Sequence, residues 1–246
     1  MRGGVRFVVD ISKCTVIPGF PVAYWLSKQM LNAFGLGTSL GLIAAPRQGF
    51  ATGDNSRFLR LWHEVDQTNS YYTATDYIQA LWTGKKWFPC NKGGSFRKWY
   101  GNNEYVVNWQ NDGSEMKGFS GSVIRNSSYY FQEGGTWSTI ASNDFSMRYS
   151  PKGFMFESKG SVCFVNDKLK LKYIIGFLNT KIVRSLLLVL SPTLDFHEGP
   201  LGKIPVIIDE QNSSVVNDIV NDNITTSKQD WDSFEESWDF IKHPLI

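Results

Sequence analysis

Between Gly84 and Ser161 the chain breaks into short aromatic and β-branched runs, each closed within a few residues by Gly, Asn or Ser: "KWFPCNKGGSFRKWYGNNEYVVNW", "SSYYFQEGGTWSTIAS", "FSMRYSPKGFMFESKGSVCFV". Runs this short cannot sustain a long helix, and their punctuating residues supply the backbone conformations that tight turns demand. The stretch therefore predicts twisted, loop-rich β structure. Helical periodicity flanks it on both sides. The expected fold class is mixed α/β (α+β): a twisted mixed sheet with long loops and helices packed behind it.

Residues 5–17 alternate loosely and predict a strand. A helix is expected over 22–34, opened by Pro21 and closed by Gly35, with Val22, Leu26, Met30 and Ala33 on one face. "SLGLIAAP" predicts a short strand. In "FLRLWHEV", a second strand, Leu59, Leu61 and His63 alternate against Phe58, Arg60 and Trp62. A further helix is expected over 68–82, the β-rich part over 84–165, and helix again over 169–190. This last segment is the most apolar, yet Asn179, Lys181 and Arg184 interrupt it, which favours a core helix or helix pair over a membrane span. Residues 1–210 then form the main domain, and 211–246 a polar linker followed by a short acidic amphipathic helix. Cys14, Cys90 and Cys163 are too far apart for a Cys-x-x-Cys zinc site and too few for a disulfide framework. With no signal peptide at the N-terminus, a cytoplasmic chain without membrane partners is expected. Because the text opens inside a strand and stops without a helix cap, it reads as a piece of something longer.

Catalytic motifs are wanting. His63, His197 and His243 sit on separate segments with no metal-ligand spacing, and neither a Gly-x-Ser-x-Gly elbow nor a Walker loop occurs. "GLGTSLG" (35–41) follows a helix, whereas a dinucleotide loop must follow a strand and open a helix. "DFHEGP" (195–200) reads as the end of an element beside a turn. No complete active site, metal or cofactor is expected within this chain.

Binding chemistry is better represented. The formal charge is only +2, so any polyanion surface must be local. Lys85, Lys86, Lys92, Arg97 and Lys98 cluster without acids among Trp87, Phe88, Phe96, Trp99 and Tyr100. "PRQGFATGDNSRF" (46–58) offers Arg47, Gln48, Asn55 and Arg57, whose forked donors and acceptors suit base edges, with Thr52 and Ser56 available to phosphates. Gly49 and Gly53 are expected to take positive φ there. "MRYSPKGF" (147–154) adds Arg148 and Lys152 around Tyr149. Each cluster has a second reading: inward aromatics under a solvated face, and arginines paired with nearby acids.

The segments "PRQG-x-x-TGDN-x-RFLRLW", "KW-x-P-x-NKGG-x-FRKWYGNNEYVVNW", "FSMRYSPKGFMFE", "IIGFLNTKIVRSLLLVLSPTLDFHEGPLGKIPV" and "DWDSFEESWDF" resemble, in the same order, the downstream half of PglX-type adenine-specific DNA methyltransferases of BREX and Pgl phage-defence systems. Two of them also resemble target-recognition domains of type I and type IIG restriction enzymes. The resemblance implies a parent that moves a methyl group from S-adenosylmethionine to adenine N6 after base flipping. The glycine motif for that cofactor and the Asn/Asp-Pro-Pro-Tyr/Phe motif are both absent from these 246 residues. What the resemblance implies here is the target-recognition part of a restriction-modification type enzyme. Its partner would be double-stranded DNA, contacted through Arg47, Gln48, Thr52, Asn55, Arg57, Lys85, Lys86, Trp87, Asn91, Lys92, Arg97, Lys98, Tyr100, Arg148 and Lys152. The alternative is a protein-interaction scaffold. In "DWDSFEESWDF", Trp231, Phe234 and Trp238 share one helical face, suited to docking on the methyltransferase domain of the same or a companion chain, or on another defence component.

Overall fold

The computed structural model describes residues 11–246 apart from Tyr24, Ser142, Asn143 and Leu194. A 3-10 helix, Ile11–Val16, replaces the end of the first expected strand; residues 5–10 lie outside the described residues. The first helix, α1 (Lys28–Leu36), begins six residues later than Pro21 suggested, because the Ser27 hydroxyl accepts from the Met30 amide and caps it there. In chain order there follow β1 (Thr38–Ser39), α2 (Leu40–Ile43), β2 (Ala44–Arg47), α3 (Asn55–Phe58), β3 (Leu59–Leu61), α4 (Tyr77–Trp82), β4 (Trp87–Asn91), β5 (Tyr105–Asn108) and α5 (Gln110–Lys117). Then come β6 (Gly134–Trp137), β7 (Met147–Ser150), β8 (Met155–Phe156), β9 (Val162–Val165), α6 (Leu171–Leu178), α7 (Lys181–Leu190), α8 (Glu198–Gly202), β10 (Pro205–Val206) and α9 (Ser213–Trp231).

The strands form three small sheets, so the expected α/β mixture is what the chain adopts. One is antiparallel with order β2-β9-β6-β7. A second, β3-β5-β4-β8, is mixed, its last pair parallel, and β1 with β10 makes a third. Between the two four-stranded sheets lies an aromatic core that includes Phe50, Phe88, Trp109, Tyr130, Phe131 and Phe156. A second core lies under the helices, where Ile174, Ile175, Leu178, Leu186 and Leu187 meet Trp137 and Met147. Gly135 in β6 fits here because a Cβ would come within 2.6 Å of the Met147 sulfur.

The apolar 169–190 segment is two helices bent by 79°, and among the described residues no single helix is long and apolar enough to cross a membrane. Asn179 causes the break. Its side chain accepts from the Met147 amide (3.0 Å) and donates to the Met147 carbonyl (2.9 Å), after which Thr180 caps α7. Residues 213–231, all but the last two expected to belong to a linker, are a continuous helix. Val220, Ile224 and Trp231 of α9 are buried in the helical core, with Val216 packed against it. Past α9, residues 232–246 run as turns and coil rather than as the expected acidic helix.

Candidate nucleic-acid interface

The three cationic segments meet at β8. On one side of it the Phe50 amide donates to the Phe156 carbonyl (3.1 Å) and the Ser158 amide to the Phe50 carbonyl (2.8 Å). On the other side β4 pairs in parallel register, and the Glu157 amide donates to the Asn91 carbonyl (2.9 Å). Gly49 permits this junction by its lack of a side chain, since a Cβ would sit 1.8 Å from the Phe156 carbonyl oxygen. Its φ is not in the left-handed region; Gly53, at φ +69°, makes the turn. The backbones converge. The side chains mostly do not.

In the loop, the Arg47 guanidinium lies 5.5 Å from the Tyr129 ring centre, and the Gln48 carbonyl accepts from the Asn126 amide. Thr52 is buried and donates to the Asn55 side-chain oxygen (2.5 Å). Asp54 accepts from the Ser56 hydroxyl and the Arg57 amide, which holds its carboxyl below the usual carboxylate range and caps α3. Arg57 is neutralised: it pairs with Glu115 at 2.8 Å and spreads over the Phe58 and Phe119 rings. That hydrogen bond lowers the Glu115 carboxyl in turn.

In the hairpin, Lys85 donates to the Thr68 carbonyl and Lys86 lies over the Trp87 ring at 5.3 Å. Asn91 is buried and donates to the Ser150 hydroxyl (2.8 Å). Arg97 pairs with Asp230 (2.9 Å) and covers the Trp231 ring. Lys98 donates to the Asn179 carbonyl (2.8 Å) at the C-terminus of α6, where a helix leaves acceptors unfilled. Tyr100 is buried, which pushes its phenol up. Lys92 is different: its ammonium sits 4.3 Å from the Tyr105 ring, near the hairpin tip.

Arg148, expected at a DNA surface, is 1% exposed. Burial depresses its pKa to about 10, with Glu104 opposing the shift; burial likewise raises the Glu104 carboxyl. Two of its nitrogens, Nε and Nη1, have no hydrogen-bond partner among the described residues. A duplex cannot reach such a side chain in the folded state. Thr52, Asn91, Tyr100 and Arg148 are thus interior, and Arg57, Arg97 and Lys98 have internal partners. Lys152 is exposed on the turn before β8.

Two of the three expected partner-docking rings, Trp231 and Trp238, pack on the protein itself. Trp231 is buried, and Trp238 packs on Tyr72 (4.9 Å between ring centres) and Phe154 (5.8 Å). The Trp62 indole donates to the Glu236 carbonyl at 2.9 Å, tying the same stretch down. Phe234 stays exposed beside His243.

What remains open is a groove of about 400 Å³ lined by Asn55, Ser56, Arg60, Glu64, Lys92 and Tyr105. Arg60 donates to the Leu59 carbonyl (2.8 Å) and the Ser56 carbonyl, and Glu64 is turned onto the Leu61 amide (2.9 Å). Among the described residues no carboxylate lies within ion-pair distance of Arg60 or Lys92. Arg60 was not among the expected contacts, although its alternation against Leu59 and Leu61 marks it as facing away from the core. No group of three or more metal-ligating side chains occurs among the described residues.

No family model matches the chain. It is 41% identical over 238 residues to the adenine-specific methyltransferase PglX of Lacticaseibacillus casei (strain Zhang), covering 94% of this chain and 20% of that protein. It is 42% identical over 234 residues to the adenine-specific methyltransferase BrxX of Escherichia coli O9:H4 (strain HS), covering 94% of this chain and 18% of that protein. The chain thus spans about a fifth of the length of the curated relatives it matches, and it is homologous over nearly all of its own length to one segment of these adenine-specific methyltransferases.

Proposed function

We propose that this chain is the DNA-recognition segment of an adenine-specific methyltransferase of a BREX-type phage-defence system, and that it binds duplex DNA while methyl transfer takes place elsewhere in the parent. The observation that carries the reading is the groove in which Arg60 and Lys92 lack carboxylate partners, with Asn55 and Ser56 beside them. Two cations and two hydrogen-bonding side chains at one surface suit phosphate contacts supplemented by an amide at a base edge. The sheets support the same division of labour. Among the described residues one strand pair in the four-stranded sheets is parallel, whereas a doubly wound cofactor site needs an open, mostly parallel sheet. S-adenosylmethionine would then be held by the rest of the parent.

The test is fluorescence anisotropy with a labelled duplex of about 25 base pairs, about the length of a typical bent site, titrated between about 50 and 200 mM salt. Wild type is expected to show a steep salt dependence. One phosphate neutralised by a cation accounts for about 0.9 of the log–log slope, so Arg60→Ala with Lys92→Ala should flatten it by about 2. Absence of affinity for any duplex at low salt overturns the reading.

A second reading has one observation behind it. Tyr77, Ile78, Leu81 and Trp82 of α4 are all exposed, Trp82 at 84%. Such a face suits contact with another part of the methyltransferase. Co-purification of the chain with a separately expressed methyltransferase domain, abolished by Ile78→Asp with Trp82→Ser, would establish it.

A further inference from the structure

The segment after α9, residues 232–240, has no helix or strand of its own, yet it is held along the edge of the groove. The Glu236 carbonyl accepts from the Trp62 indole at 2.9 Å. Trp62 follows Leu61, one wall of the groove, and its amide donates to the carbonyl of Glu104 (2.9 Å), which precedes Tyr105, another wall. Glu236 is therefore anchored one residue beyond the groove on both β3 and β5. Further on, Trp238 packs on Tyr72 and on Phe154, two residues from the exposed Lys152. At the origin of the segment, Asp230 holds Arg97. Its path thus starts beside Arg97, passes Trp62, two residues from Arg60, and ends near Lys152.

The charges on this path fall into two kinds. Asp232 and Asp239 are neutralised by Lys228, and they share Ser237, which is 2% exposed: its hydroxyl donates to Asp232 (2.7 Å) and accepts from the Asp239 amide (3.1 Å). Glu235 and Glu236 are exposed, and among the described residues no cation lies within ion-pair distance of either. The field of Glu236 reaches the groove's border: burial raises the Glu104 carboxyl first, and this like charge adds to it. Phosphates approaching Arg60 and Lys92 would meet the same repulsion.

The segment is also built to come away. Neither Phe234 nor Trp238 belongs to a hydrophobic core. What ties its middle to the sheets is one neutral hydrogen bond and two tilted ring contacts, a small set against the phosphate contacts of a bound duplex. We propose that residues 232–240 are an autoinhibitory strap: two unpaired carboxylates, held beside the groove by the Trp62 and Trp238 contacts, oppose a duplex until those contacts release. The proposal rests on the recognition reading above.

The experiment uses the full chain and the labelled duplex of about 25 base pairs. Glu235→Gln with Glu236→Gln should tighten binding about fivefold at about 50 mM salt, the size of two like-charge contacts across several ångströms of water, and the gain should shrink by about 200 mM as screening shortens. Trp238→Ala keeps both charges but loosens the anchor, and should tighten binding by about twofold or more. Movement is read with a Glu-specific endoprotease, through the C-terminal fragment released by cleavage after Glu235 or Glu236. Its release should be about threefold faster or more for Trp238→Ala, and likewise for wild type saturated with duplex, because both open the segment locally. Affinity unchanged in either variant, or cleavage that duplex does not accelerate, overturns the strap; if wild type still binds, the recognition reading stands without it. Binding by the variants alone supports both. No binding by wild type or by either variant overturns both.

Discussion

Gly49→Ala tests whether the junction at β8 is built on close approach. The added Cβ would lie 1.8 Å from the Phe156 carbonyl oxygen, against an ordinary contact of 3.4 Å or more, so the loop must retreat by about 1.6 Å. The opposing atom is backbone, and no rotamer change relieves it. A retreat of that size breaks the hydrogen bonds from Phe50 to Phe156 (3.1 Å) and from Ser158 to Phe50 (2.8 Å). Each bond contributes about 1 kcal/mol net. Overpacking adds roughly 1–3 kcal/mol, and Phe50, which is fully buried between Trp109 and Tyr130, moves with the loop. The expected loss is about 3–5 kcal/mol, which lowers Tm by roughly 10 °C for a chain of this size. Urea unfolding followed by tryptophan fluorescence measures it. A loss under about 1 kcal/mol would refute close approach as the reason for glycine and restore the turn explanation.

Arg148→Met should leave the salt slope of duplex binding within about 0.3 of wild type, because the guanidinium is interior; a fall of about 0.9 would place it on a phosphate after all. Trp231→Ala should cost about 3–5 kcal/mol in denaturant unfolding, as a buried ring beside Arg97 does, whereas Phe234→Ala should stay within about 1 kcal/mol. Equal losses would mean that the segment after α9 carries no asymmetric packing. Burial raises the Cys90 thiol well above normal and the Cys163 thiol to about 12. The folded state therefore holds these protons more tightly than the unfolded state, so their contribution is intact below about pH 9 and is lost as pH rises from there towards 12. Urea melts should show stability falling over that window, and a thiol reagent at about pH 8 should label these two cysteines only on unfolding.

How much of this was legible follows from the range of each interaction. The β-rich middle was readable because its signal is local: short runs and turn residues next to each other in the chain. For the apolar 169–190 segment the residues left a single core helix and a helix pair both open; the pair is what forms, because Asn179 ends α6 by bonding to Met147, 32 residues away. The start of α1 was misplaced because a proline signals a permitted first turn while the Ser27 cap decides the actual one. In α9, Val216, Val220 and Ile224 recur at four-residue spacing, but the surrounding Asn, Asp, Ser and Thr made the stretch read as a linker. The candidate contacts divided in the same way. Residue type identifies a guanidinium, but only the fold puts Glu115 opposite Arg57 and Asp230 opposite Arg97.

That division bears on how a recognition surface can be built from a chain with so little net charge. Arg97 and Lys98 bind the return arm of the hairpin to α9 and to the end of α6, while Asn102 donates to the Ser95 carbonyl (2.8 Å) and ties the arm to itself. Gly93 and Gly94, both at positive φ, sit close against Lys159 and Asn102. A hairpin so anchored does not lose much conformational entropy when something binds, which is the cost that weakens flexible basic loops. Lys92 near its tip and Arg60 on the edge strand β3 are the two cations of the groove, and Lys92 is held over the Tyr105 ring. The internally paired arginines are therefore not failed contacts. They fix the hairpin that carries Lys92, one of the two cations that the proposed reading sets against phosphates.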